Sequence, residues 1–165
     1  MTQNGNNNMN GLNVNVGLCE KYDESTRSVQ SFFNEVTTEN NRATLCIFSM
    51  ISYIGKEKVT VELDYFLKCI KPLEDTEKDY TNTKIPLYSL ELVGIKNSDF
   101  KTDYEVFESI IAQSKNVKFP TKGIYQIEIY EMNDETKKID QARERYNFYK
   151  EENILPISAF RFQVK

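Results

Sequence analysis

The stretch KFPTKGIYQIEIYEM, residues 118–132, decides the fold class. Pro120 and Gly123 mark a turn, and Tyr125, Ile127 and Ile129 then alternate with Gln126, Glu128 and Tyr130. Apolar residues at every second position describe a strand with one buried face and one wet face. On the C-terminal side, residues 133–136 turn the chain. Residues 137–151 predict a helix, with Ile139, Ala142, Tyr146 and Tyr149 on one stripe, although 145–150 also fits an extended segment. Pro156 opens a final strand, 157–164, in which Phe160, Phe162 and Val164 face inward. Packing of Tyr125, Ile127 and Ile129 against Phe160 and Phe162 is the architecture this pattern implies.

On the N-terminal side, residues 102–116 predict a helix. Thr102-Asp103-Tyr104-Glu105 matches a capping box, and Tyr104, Phe107, Ile110 and Ile111 follow at helical spacing. Residues 87–95 form a strand whose imperfect alternation implies a bulge, and 71–84 form a charged loop. Residues 43–54 are apolar at both alternating sets, as in a central strand covered on both faces or a buried helix. Gly55 and Lys56 then turn the chain into the alternating run 58–69, so the two runs read as a hairpin, which favours the strand. Residues 12–22 alternate as a first strand and 37–42 read as a loop; 29–36 fits a short second strand or a single helical turn, and Gln30 and Asn34 favour the strand. The expectation is an antiparallel β-sandwich of about seven strands with one or two short helical insertions. It occupies 12–165 as a single domain behind a flexible tail, 1–11.

The order of these features resembles a family of small bacterial β-sandwich domains with no assigned function. The matching pieces are GLC after the first alternating strand, SFFNEV, the turn around Gly55, FPTKGIYQIEIY and the closing FRFQVK. The resemblance covers most of 12–165, apart from the acidic loop and the insert at 137–151. It implies the sandwich fold and carries over no catalytic residue.

Composition narrows the chemistry. The 165 residues include no histidine, which removes Ser-His-Asp and Cys-His catalysis and His-ligated zinc. Three cysteines without ligand spacing point to a reducing compartment rather than a disulfide framework. Residues 1–11 are rich in Asn and Gly, unlike a signal peptide, and the longest apolar run, 43–54, is too short to span a bilayer. The expected location is the cytoplasm. Frequent Asn, Lys, Ile and Tyr fit an AT-rich genome, such as that of a low-GC bacterium or its phage. The net charge of −4 argues against a general nucleic-acid binder. Six scattered glycines form no phosphate-binding loop.

Candidate chemistry is sparse. Cys69 lies between Lys68 and Lys71, which would favour a thiolate, but it lacks a histidine base and shares a face with Leu67. The acidic runs Glu74, Asp75, Glu77, Asp79 and Glu131, Asp134, Glu135 match no calcium loop, so no metal and no cofactor are expected. Lys137, Lys138, Arg143, Arg145 and Lys150 intermingle with Tyr146, Phe148 and Tyr149, one recipe for single-stranded nucleic acid. Asp140, Glu144, Glu151 and Glu152 interrupt them, so a solvated helix face with an apolar stripe fits better. The reading that remains is a non-enzymatic module contacting another protein, of which a phage- or mobile-element-encoded inhibitor of a host factor is one form. Its candidate contact residues are Tyr130, Arg143, Arg145, Tyr146, Phe148 and Tyr149. The alternatives are a His-free enzyme with an unfamiliar site and, more weakly, a single-stranded nucleic-acid binder using 137–150.

Overall fold

The computed structural model describes residues 11–23, 25–26, 28–55, 60–73, 78–96 and 104–165. The tail expected at 1–11 lies outside them except for Gly11, as do Glu74, Asp75 and Glu77 of the acidic run. The fold is mainly β. The strands are β1 (Asn13–Asp23), β2 (Ser28–Phe33), β3 (Glu35–Val36), β4 (Arg42–Gly55) and β5 (Thr60–Pro72). They continue with β6 (Lys84–Val93), β7 (Ile95–Lys96), β8 (Tyr104–Lys118), β9 (Gly123–Glu131) and β10 (Ser158–Val164). One α-helix, α1 (Ala142–Glu151), precedes β10. The first sheet has the order β2-β1-β4-β8-β7 and the second β3-β10-β9-β5-β6. Among the described residues no helix is long and apolar enough to cross a membrane.

The stretch at 118–132 lies where its pattern puts it. β9 runs between β5 and β10, and Tyr125, Ile127 and Ile129 are fully buried between the sheets. Phe162 stands opposite Tyr125 and Phe160 opposite Ile127 in the β9–β10 register, so the expected pairing is present. Leu18, Ile47 and Ile51 of the first sheet belong to the same core as Leu63, Tyr65 and Leu67 of the second. The Tyr65 hydroxyl crosses the gap and donates to Ser49 Oγ at 2.9 Å. Gly123 is required at the entry to β9. Its φ is +150°, and a Cβ there would lie 2.2 Å from the Lys71 carbonyl oxygen and 2.9 Å from Pro72 Cα. That close approach lets the Leu73 N–H reach the Lys122 carbonyl at 2.8 Å.

Five expectations need correction. β4 and β5 are not a hairpin: β4 pairs with β1 and β8, whereas β5 pairs with β6 and β9 in the other sheet. β4 is apolar on both faces and β5 on its inner one, and each takes a central place with a partner on either side, which one hairpin cannot supply to both. Similarly, 29–36 divides at Asn34 into β2 of the first sheet and β3 of the second. The helix expected at 102–116 is strand β8 over its described part, paired with β4 from Arg42↔Lys118 to Gly55↔Tyr104. Val106, Ile110 and Ile111 pack as well on a pleat as on a helix, and pairing with a long two-faced strand overrides the local cap signal. Thr102 and Asp103 themselves lie outside the described residues. The helix expected at 137–151 is shorter. A 3-10 turn at Thr136–Lys138 comes first, and α1 includes all of 145–150, so that segment is helical rather than extended. The strand expected at 87–95 begins earlier, at Lys84, and its bulge falls where β6 faces Tyr65 and Phe66.

Ile127 has no solvent exposure, whereas Ala159 on β10 points outward. Ile127→Ala is expected to lower unfolding free energy by about 2–5 kcal/mol through lost burial and a residual cavity. Ala159→Ser is expected to stay within about 0.5 kcal/mol. Urea denaturation of the two variants checks the inward and outward faces together.

Candidate functional site

The outer face of the second sheet carries an unusual row of residues. β5 sends out Asp64, Phe66 and Lys68, and β9 sends out Tyr130, Glu128 and Gln126 directly opposite them. α1 covers this row. Its Arg145, Tyr146 and Tyr149 are buried and form one side of the helix, facing the strands. A small second core results, built on Phe66, Tyr130, Tyr146 and Tyr149. Tyr130 and Tyr149 stack at 4.5 Å between ring centroids, and Phe66 meets Tyr146 edge-on at 4.9 Å.

Two carboxylates lie inside this roofed layer. Asp64 is 1% exposed. Its Oδ2 accepts from Arg145 Nε at 2.8 Å and the Tyr149 hydroxyl at 2.9 Å. Its Oδ1 accepts from Arg145 Nη2 at 3.0 Å and Ser89 Oγ at 2.6 Å. Arg145 Nη1 donates to the carbonyls of Ile139 and Asp140 at 2.8 and 2.9 Å, fixing the approach to the helix. Glu128 is 3% exposed. Its Oε2 accepts from Tyr130 at 2.8 Å and Tyr146 at 3.2 Å, and its Oε1 from Gln126 Nε2 at 3.1 Å. Lys150 Nζ stands 3.7 Å from Glu128 Oε2 and donates to the Tyr130 hydroxyl at 2.9 Å.

The protonation pattern follows from burial and these partners. The hydrogen bonds to Asp64 hold the Arg145 guanidinium above its ordinary value against burial. Burial first, and the adjoining Glu128 carboxylate second, push up the hydroxyls of Tyr130 and Tyr146. Burial and Asp64 do the same for Tyr149. Burial lowers the Lys150 ammonium, Lys68 and Lys84 add to the lowering, and Glu128 opposes it. Each carboxylate oxygen thus has an internal donor, and both groups lie under α1. A buried cluster of this kind anchors a helix, and it perturbs protonation without needing a substrate.

The structure therefore sorts the six candidate contact residues into two groups. Tyr130, Arg145, Tyr146 and Tyr149 meet in the anchoring cluster and are turned away from solvent. The strand alternation assigns Tyr130 outward correctly, but the outward face is not wet, because α1 covers it. Arg143 is exposed, and Phe148 is half-buried against the small core. The basic and aromatic residues of 137–150 consequently present no open stacking platform: Tyr146 and Tyr149 face the sheet, and Lys137 pairs with Glu62 at 2.7 Å. Cys69 is fully buried, and burial pushes its thiol up, the reverse of what a nucleophile needs. Cys19 and Cys46 are also buried and free, with their sulfurs 3.5 Å apart. Among the described residues no group of three or more Cys, Asp or Glu side chains is placed to share a metal ion.

Sequence reasoning misses a surface on the other side of the molecule. The outer face of the first sheet carries Phe48 and Met50 of β4, with Ile111 of β8 opposite Phe48. Phe107 of β8 stands opposite Ser52, one row beyond Met50. Phe32 of β2 joins them, its ring 5.8 Å from that of Phe48 and lying over Gly17. Phe32 is 62% exposed, Met50 47% and Phe107 59%. The two-faced apolar pattern of 43–54 is the only sequence signal of this face, and it reads as burial.

Loss of Arg145 would strand Asp64 in the low-dielectric layer. Arg145→Ala is expected to cost about 3–5 kcal/mol in urea denaturation, and the double replacement Arg145→Met with Asp64→Leu to recover most of it. The tyrosines give a second test. Their ordinary value is 10.0, and burial pushes Tyr65 up to about 12, with Tyr130, Tyr146 and Tyr149 also raised. The native state then holds protons that the unfolded chain releases. Stability is full below pH 10 and falls as pH rises through the folded values, by about 1.4 kcal/mol per pH unit for each such group. An alkaline titration should show the buried phenols ionising in one step with unfolding, read by phenolate absorbance and circular dichroism. Gradual ionisation with the fold intact would contradict the roofed cluster.

No protein-family model matches this sequence, and no curated protein matches it. Among solved structures, β-glucosidase from Listeria innocua, in complexes with laminaribiose, isofagomine or glucose, is similar at a TM-score of 0.46 and 9% identity. The alignment covers 93% of this chain and 16% of the β-glucosidase chain, and the likeness carries no functional information.

Proposed function

We propose that this β-sandwich is a binding module that contacts another protein through the outer face of its first sheet. The observation that carries the proposal is the asymmetry between the two outer faces. The second sheet has its outward aromatics covered by α1, whereas Phe32, Met50 and Phe107 of the first stand in water. Interface centres are built from such aromatic and Met side chains, which release the most water per residue when covered. The adjoining edge supports the same reading. Among the described residues β7 pairs with β8 at Glu105 and Tyr104. Among the described residues no strand pairs with the rest of that edge of β8, so its backbone groups are available to an extended segment of a partner. The partner is thus a protein that lays an extended, apolar strand along β8 and over Phe107 and Met50. An inhibitor of a host factor would work in this way, by occupying a surface its target needs.

A photo-reactive amino acid at position 50 tests this in an extract of the source cell. The chain should be a monomer alone and should cross-link to one distinct protein. Adding Phe107→Lys should weaken the capture ~10-fold without shifting the melting temperature, because Phe107 is already exposed. Adducts of the chain with itself only, or equal capture from position 161 on the opposite sheet, would overturn the proposal.

A further inference from the structure

A cleft of about 660 Å³ opens beside α1, between the first half of the helix, the start of β6 and the corner at 118–120. Three cations line it: Lys84, Lys118 and Arg143. No carboxylate does. None of the three has an ion-pair partner among the described residues, although the chain as a whole carries a net charge of −4. Lys84 is held in place: its Nζ donates to Asn147 Oδ1 at 3.3 Å and lies 4.8 Å from the centre of the Tyr146 ring. Arg143 sits in the first turn of α1, where a cation opposes the helix dipole, so helix stability does not account for it. Three like charges around one empty volume repel one another, and an anion in the cleft reverses that cost.

The remaining lining specifies which anion. Asn82 and Thr83 also line the cleft, and the Asn82 amide donates one N–H to Asp79 Oδ2 at 3.4 Å and keeps a second. A single carboxylate would be satisfied by Arg143 alone. Three cations and two neutral donors match a dianion with several oxygens. Phe66, Ile85, Pro86 and Pro120 give the cleft apolar surface beside the cations. The volume lies within the range of small-molecule sites and exceeds what a bare phosphate fills. We infer that this cleft binds an organic phosphate monoester of about mononucleotide size. Its phosphate lies among Lys84, Lys118 and Arg143, and its carbon skeleton lies against Pro86 and Pro120. Lys118 closes β8, but the rest of the lining comes from β5, residues 82–86, α1 and Pro120, away from Phe32, Met50 and Phe107, so the monoester site is tested separately from the protein contact.

Calorimetric titration of the intact protein tests the inference with AMP, ribose 5-phosphate, inorganic phosphate, adenosine and a single-stranded DNA decamer. A phosphate monoester should bind at least ~10-fold more tightly than adenosine and inorganic phosphate. Arg143→Ala and Lys118→Ala should each weaken that binding ~10-fold while leaving the melting temperature unchanged, because both side chains are exposed. If AMP binds and ribose 5-phosphate does not, the skeleton is a nucleoside; if both bind alike, it is a sugar, and either result supports the site. Absence of monoester binding, binding indifferent to both substitutions, or binding of the decamer only would overturn it. The last result would assign the cations to a nucleic-acid surface instead.

Discussion

Asp64 stands on β5, a central strand of its sheet, with its carboxylate almost wholly removed from water. An ionised carboxylate in that position is tolerable only when donors surround it. Four hydrogen bonds do so, and they come from three residues on two elements: Arg145 and Tyr149 on α1 and Ser89 on β6. This requirement determines where α1 can lie. The guanidinium that answers Asp64 also grips the carbonyls of Ile139 and Asp140, so the connection from β9 is set by the same group. That connection is stiffened further by Asn133, whose side chain accepts from the backbone N–H of Glu135 and Thr136. Helix, connection and edge strand are organised around one buried charge.

Tyrosine is the residue type that makes this possible. A phenylalanine supplies area; a tyrosine supplies area and a hydroxyl that reaches a partner from within an apolar layer. Tyr130 and Tyr146 reach Glu128, Tyr149 reaches Asp64, Tyr65 reaches Ser49 across the sandwich, and Tyr125 reaches the Thr121 carbonyl. Beside the Arg145–Asp64 pair, these phenols supply most of the hydroxyls that join the layers among the described residues. The high aromatic content, read from composition as a preference for strands, is equally a content of buried hydrogen-bond donors.

The sandwich was legible where one face of a strand is apolar and the other polar, as in β9 and β10. Period-two alternation then has a single solution, and the β9–β10 register follows it. Legibility failed at the turn after β4. The two-faced β4 and the alternating β5 each fit a hairpin locally, and only the competition for central positions separates them into different sheets. It failed again at β8, because Tyr104, Phe107, Ile110 and Ile111 fall at helical spacing, and pairing with a distant strand overrides that signal. The anchoring cluster was half legible. Tyr146 and Tyr149 fall on the expected stripe, but nothing local says that Arg145 faces inward, since its reason is an aspartate eighty-one positions earlier. The cleft was not legible at all, because Lys84, Lys118 and Arg143 are neighbours only after folding.

The passage of the chain between sheets has a consequence for time rather than for stability. β4 waits for β8, β5 waits for β9, and β3 waits for the parallel β10, whose Gln163 and Val164 stand beside Glu35 and Val36. Each pairing closes a long loop before any contact rewards it, and topologies of this kind fold in milliseconds to seconds. During synthesis, β4 emerges with both faces apolar and β5 with its inner face apolar, before β8 and β9 exist to pair with them. The nascent chain is then at its most prone to aggregate. The second sheet commits only when KFPTKGIYQIEIYEM arrives, since β9 is the strand that joins β5 to β10. A stretch that decides the architecture on paper is also the one whose late appearance sets the pace at which the architecture can exist.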